Sequence, residues 1–86
     1  MKINYIAIIG LIAGTLTTLS FLPQVTKIIK TKETKDLSLA MYVVLATGMF
    51  LWIVYGIFIG SLPVVLANLI SFILAMTVLI FKIRYG

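Results

Sequence analysis

Cysteine and histidine are both missing from this 86-residue chain, and its only acidic residues are Glu33 and Asp36. Without cysteine there is no disulfide, no thiolate metal site and no cysteine nucleophile. Without histidine the side chain that most readily exchanges protons near neutral pH is gone. Charge of either sign is scarce, at 10% of residues, and none lies from Ile3 to Val25 or from Leu37 to Phe81. No nucleophile–base pair or metal cluster can be assembled from what is left, so an enzyme is not expected, nor is a cofactor or a metal. Proton or cation coupling generally uses intramembrane carboxylates or histidines, and neither residue type is available inside the apolar stretches.

What the chain does have is apolar mass: 63% of residues are hydrophobic and the mean hydropathy is +1.26. A soluble domain this short is marginal even with an ordinary polar surface. Here there is almost no polar surface to build, so the solvent has to be a lipid bilayer. The net charge of +5 does not point to nucleic acid, because the basic side chains flank apolar runs instead of covering a face.

The first apolar run, Ile3 to Val25, ends in Lys27-Ile-Ile-Lys-Thr-Lys-Glu-Thr-Lys-Asp36. It lacks a small-residue cleavage site and closes on lysines, which argues against a signal peptide. A single helix from Leu37 to Phe81 would be about 68 Å long against a hydrocarbon core of about 30 Å, so the chain must turn once. Gly60-Ser61-Leu62-Pro63 is the only turn-like punctuation, with glycine closing one helix and proline opening the next. Three spans follow, near 4–27, 38–59 and 63–82, forming one membrane domain over 1–86. Lys27, Lys30, Lys32, Lys35, Lys82 and Arg84 then share one side, with Lys2 alone on the other. The positive-inside tendency puts the N-terminus outside and the C-terminus inside the cytoplasmic membrane.

Three helices packed against one another leave no room for a solute, so a pathway calls for a second copy under two-fold symmetry, inserted the same way up. Gly10 and Gly14, Gly56 and Gly60, and Ala67, Ser71 and Ala75 are small residues spaced for close helix approach in lipid, without indicating which stripe meets a partner. Polar side chains are few within the spans. Serine and threonine hydroxyls can bond their own helix, but the Asn68 amide has more donors and acceptors than its own backbone can meet. Trp52 lies about 12 Å below Gly60 and Asn68 about 10 Å below Ser61, so the two share a depth on antiparallel neighbours. Two indole faces and two amides would suit a sugar, with C–H faces to stack and hydroxyls to bond. The competing reading is that Trp52 fills a core gap and Asn68 glues helices. Pro23 removes one backbone bond and makes a kink or hinge, with Gln24 a candidate partner for the freed Leu19 carbonyl.

Pro23-Gln24, set in Thr-Thr-Leu-Ser-Phe-Leu-Pro-Gln and followed by Lys-Thr-Lys-Glu-Thr-Lys-Asp-Leu-Ser-Leu-Ala-Met-Tyr, resembles the PQ-loop superfamily. With Gly48-x-x-x-Trp52-x-x-Tyr55-Gly56 and Leu66-Ala67-Asn68, the whole chain resembles the bacterial SemiSWEET sugar transporters. The resemblance implies an all-α, three-transmembrane-helix bundle that works as a parallel homodimer, a uniporter carrying mono- or disaccharides by alternating access. It implies that Trp52 and Asn68 contact a glucose- or sucrose-like sugar and that Pro23 and Gln24 form a hinge. It also implies that Tyr55 belongs to the outer gate, which here is expected to close by packing of Tyr55, Phe58 and Ile59, and that Met41 lies near the inner constriction. Ser20, Gly48 and Ser71 are further pocket-lining candidates. Many bacterial members carry an arginine and an aspartate where this chain has Ile59 and Ser61, so an ionic outer latch is not expected. The alternatives are a related carrier of another neutral solute and a non-transporting assembly subunit.

Overall fold

The computed structural model describes residues 4–86, so Lys2, counted above for orientation, lies outside the described residues. The chain forms three helices, α1 (Tyr5–Thr31), α2 (Leu39–Phe58) and α3 (Leu62–Tyr85). Each is long and apolar enough to cross a bilayer, and the chain is an all-α integral membrane protein.

Local chemistry sets the ends. Asn4, Ser38 and Ser61 are N-caps whose side-chain oxygens accept from the backbone N–H groups of Ala7, Met41 and Val64, meeting donors that have no partner within the helix. At the α2–α3 turn, Gly60 takes φ +67°. Its N–H donates to the Ile57 carbonyl (3.2 Å) while the Ser61 N–H donates to the Gly56 carbonyl (2.9 Å). This paired 5→2 and 6→1 closure is a Schellman motif, which favours glycine at the left-handed position. Pro63 follows in the first turn of α3, where its missing N–H is harmless.

Two boundaries differ from those expected. α1 continues a turn beyond residue 27, so Lys27 and Lys30 ride on the helix before it ends against Lys32 at φ 56°. Lysine has good helix propensity, and its long stem lets the ammonium reach the headgroups from a residue still on the helix. α3 likewise runs to Tyr85 instead of residue 82.

α3 packs against both α1 and α2, while α1 and α2 have no close backbone approach to each other. The three helices therefore do not surround a common axis: α3 lies in the middle of a flattened layer with extents of 43 × 22 × 13 Å. Each small-residue stripe has members packed inside this layer, Gly60 excepted, which forms the turn. A Cβ on Gly10 would come within 2.9 Å of Pro63, and one on Gly14 within 2.5 Å of the Ala67 Cβ. A Cβ on Gly56 would meet Val64 and Val65 at 2.9 Å. Ala75 is fully buried. The buried apolar residues gather towards the lysine-rich end, where Val25 and Ile28 of α1 meet Tyr42, Ala46 and Met49 of α2 and Ala75, Val78 and Leu79 of α3.

Candidate functional site

Because side chains on a helix recur every three to four residues, Met41, Leu45, Gly48, Trp52, Tyr55 and Ile59 fall on one stripe of α2, running from its lysine-rich end to its turn end. Met41, Trp52, Tyr55 and Ile59 are each about half exposed, Trp52 at 53%. No atom lies within 4 Å of where a Gly48 Cβ would stand. Together with Leu51, Gly48, Trp52 and Tyr55 line an open groove of about 330 Å³. The indole and phenol rings meet edge to face there, with centroids 5.3 Å apart and planes at 85°. The flat face of an indole held in this way is open to a neighbour. Phe58, the last residue of α2, is 84% exposed and lies off the stripe.

Asn68 is half-buried on the Val64–Asn68–Ser71–Ala75 stripe of α3. Its Nδ2 donates to the Val64 carbonyl at 2.9 Å, so its own helix takes one of its two amide hydrogens. The second hydrogen and the Oδ1 acceptor remain. Trp52 is six residues before the end of α2 and Asn68 six residues after the start of α3. Both therefore lie about 9 Å from the turn on adjacent antiparallel helices. The groove that holds Trp52 is lined by its own helix and not by Asn68, so one chain supplies the indole and the amide at one depth without closing a cavity around them.

The other expected residues divide. Ser20 is exposed on α1 and donates to the Thr17 carbonyl. Ser71 is buried, with its Oγ 3.5 Å from Thr18 Oγ1, so it packs α3 against α1 instead of opening onto a free face. Thr15, Thr17, Thr47 and Thr77 all donate to carbonyls four residues back, which leaves them little call on a solute. Pro23 stands inside α1 on an exposed side, and the helix continues through it. Gln24 was expected to serve the Leu19 carbonyl freed by the proline. Its side chain lies near Tyr42, a buried tyrosine that sequence reasoning had not singled out. The missed signal was Tyr42 itself, a polar aromatic one turn into α2 whose hydroxyl needs a partner when buried.

A model of the PQ loop repeat matches residues 5–65. The chain belongs to the PQ-loop family. It is 40% identical over 81 residues to the sugar transporter SemiSWEET of Bradyrhizobium diazoefficiens, covering 94% of each chain. Among solved structures, a bacterial homologue of SWEET transporters superposes with a TM-score of 0.89 at 49% identity, over 96% of this chain and all of the other. A SemiSWEET in the inward-open conformation also gives 0.89 at 36% identity, over 95% of this chain and 88% of its own.

Proposed function

We propose that this chain is one half of a facilitative sugar transporter, a parallel homodimer that moves mono- or disaccharides across the cytoplasmic membrane by alternating access. The observation that carries this reading is the α2 stripe of Met41, Gly48, Trp52, Tyr55 and Ile59, left without a partner on the outside of the layer. A second copy set face to face would enclose the space between two such stripes, with Trp52 and Asn68 supplied twice at one depth. Stacking on indole and hydrogen bonding to carboxamide are the contacts a sugar needs. That a relative covering the same length is a sugar transporter, and that another crystallised inward-open, supports both the substrate class and the alternation.

In this reading the lysine-rich end faces the cytoplasm and the Gly60 turn faces out, by the bias of six basic side chains against one. Tyr55, Phe58 and Ile59 stand at the outer mouth and Met41 at the inner one, while Pro23 and Gln24 lie where α1 would flex. Ser61 already caps α3, so outer closure rests on apolar and aromatic packing.

Uptake of radiolabelled glucose and sucrose into proteoliposomes tests the proposal. The intact chain equilibrates at least one of them without an ion gradient, and Trp52→Ala and Asn68→Ala each slow it. Undiminished uptake by both variants would remove the pocket. Absence of any sugar flux, with a stable dimer retained, would favour a carrier of another neutral solute or an assembly subunit.

A further inference from the structure

The lysine-rich end holds a second cavity, of about 480 Å³, set apart from the α2 stripe. Its walls come from the end of α1, the α1–α2 loop and the last turn of α3. Lys27, Lys32 and Lys35 line it, together with Gln24, Glu33, Thr34, Asp36 and Tyr85. Thr34 is 2% exposed, and its Oγ1 has no hydrogen-bond partner. Its carbonyl, by contrast, accepts from Lys82 Nζ at 2.8 Å, which ties the loop to α3. Lys32 Nζ also stands 5.6 Å from the centroid of the Tyr85 ring. A buried hydroxyl left without a partner normally signals a group that the chain does not itself supply. With three lysines in the same lining, an oxyanion is the class of group that would meet it.

We infer that this cavity binds a singly charged phosphate group, as in the phosphodiester of an anionic phospholipid headgroup. Charge balance suits the class: three lysines against two carboxylates leave the lining at +1, enough to neutralise one negative charge. The carboxylates, being acceptors only, suit the hydroxyls of a glycerol headgroup. Height agrees as well, since the lining on α1 runs from Gln24 to Lys27 and Ile28, where the uncharged run gives way to lysines, the level at which a bilayer carries its phosphates. Lys30, also on α1, lies outside the cavity and provides an internal control for charge alone.

Native mass spectrometry of the full chain released from phosphatidylcholine nanodiscs containing phosphatidylglycerol reads the site directly. The unaltered chain retains phosphatidylglycerol, and Lys32→Gln and Lys35→Gln each lower the retained fraction about fivefold. Thr34→Val, which keeps the shape and removes the hydroxyl, also lowers it, and Lys30→Gln leaves it unchanged. In a second arm, inorganic phosphate is titrated into the protein in pure phosphatidylcholine discs. Saturable binding there that is lost in Lys32→Gln and Lys35→Gln, with no retained phosphatidylglycerol, assigns the same site to a soluble phosphate. An equal loss from Lys30→Gln, an unaltered Thr34→Val, or no binding in either arm overturns the inference. None of these readouts depends on sugar flux, so the outcome is separable from that of the transport proposal.

Discussion

The two ends of the layer are built differently, although the same three helices run through both. Towards the lysine-rich end all three helices contribute to one buried cluster centred on Ala75 and Val78, and even a threonine is enclosed. Towards the Gly60 turn, burial is confined to the seams where Gly10 and Gly14 meet Pro63 and Ala67, and where Gly56 meets Val64 and Val65. The Trp52–Tyr55 pair stands in the open there. The difference teaches where to look for structure and where for activity. In lipid, apolar exposure has little energetic penalty, so helices associate through close van der Waals packing. A stripe left bare therefore carries no instability to explain, and what it offers is surface for a partner or solute. The lysine-rich half holds the chain together, and the turn half presents the chemistry.

That contrast breaks if substitutions in the two halves give the same phenotype. Ala75→Leu should have the largest effect, because overpacking a filled core costs about 1–3 kcal/mol. The thermal midpoint of the solubilised protein should fall clearly. Trp52→Ala should leave that midpoint nearly unmoved while cutting sugar uptake about tenfold, the loss of one aromatic face in each of two copies at ~0.5–1.5 kcal/mol apiece. A large stability loss in Trp52→Ala would mean the indole is core after all.

A glycine pair sharpens the contrast within the open half. Gly14→Ala forces a Cβ to within 2.5 Å of Ala67 and should destabilise by on the order of 1 kcal/mol, by the cost of added methyls in a tight contact. Gly48→Ala meets nothing within 4 Å, so stability should change by less than about 0.5 kcal/mol. Any effect of Gly48→Ala should appear in uptake, and more for a disaccharide than for a monosaccharide, since the added methyl narrows the groove. The smallest effect expected is that of pH. No ionisable side chain other than tyrosine lies from Leu37 to Phe81, and Ser61 caps α3 where an acidic residue could have formed a latch. Uptake into proteoliposomes should vary by less than about twofold between pH 5.5 and 8, since histidine, the side chain that ordinarily titrates there, is absent from the sequence. A steep profile would place a proton-linked group in the gate.

Much of the frame was legible in residues close together along the chain. The Gly60–Pro63 turn follows from a left-handed glycine and a proline that opens a helix. Trp52 and Asn68 share a depth because both are counted from the same turn. Less legible was the fate of the small-residue stripes. Three of them were equally suited to face a partner copy, and each is packed within the chain apart from Gly60 in the turn. Ser71 went with them, into the seam beside Thr18. Gln24 was read against its own helix and lies near Tyr42 on another, because a long, flexible side chain has choices that spacing alone does not rank. The enclosure of Thr34 by the end of α3 had no sequence signal at all.

By itself the sequence determined that this is a membrane protein with three spans, where the chain turns between the second and third, and which end carries the positive charge. These are properties of single helices and short turns, decided by hydropathy, backbone sterics and capping within a few residues. Only the tertiary structure decided that α3 takes the middle place, which face of each helix is covered, and that the α2 stripe stays bare. Those choices rest on the fit of surfaces far apart in the chain. In a bilayer, where every helix face is apolar, no polar–apolar pattern marks in advance which surfaces will meet.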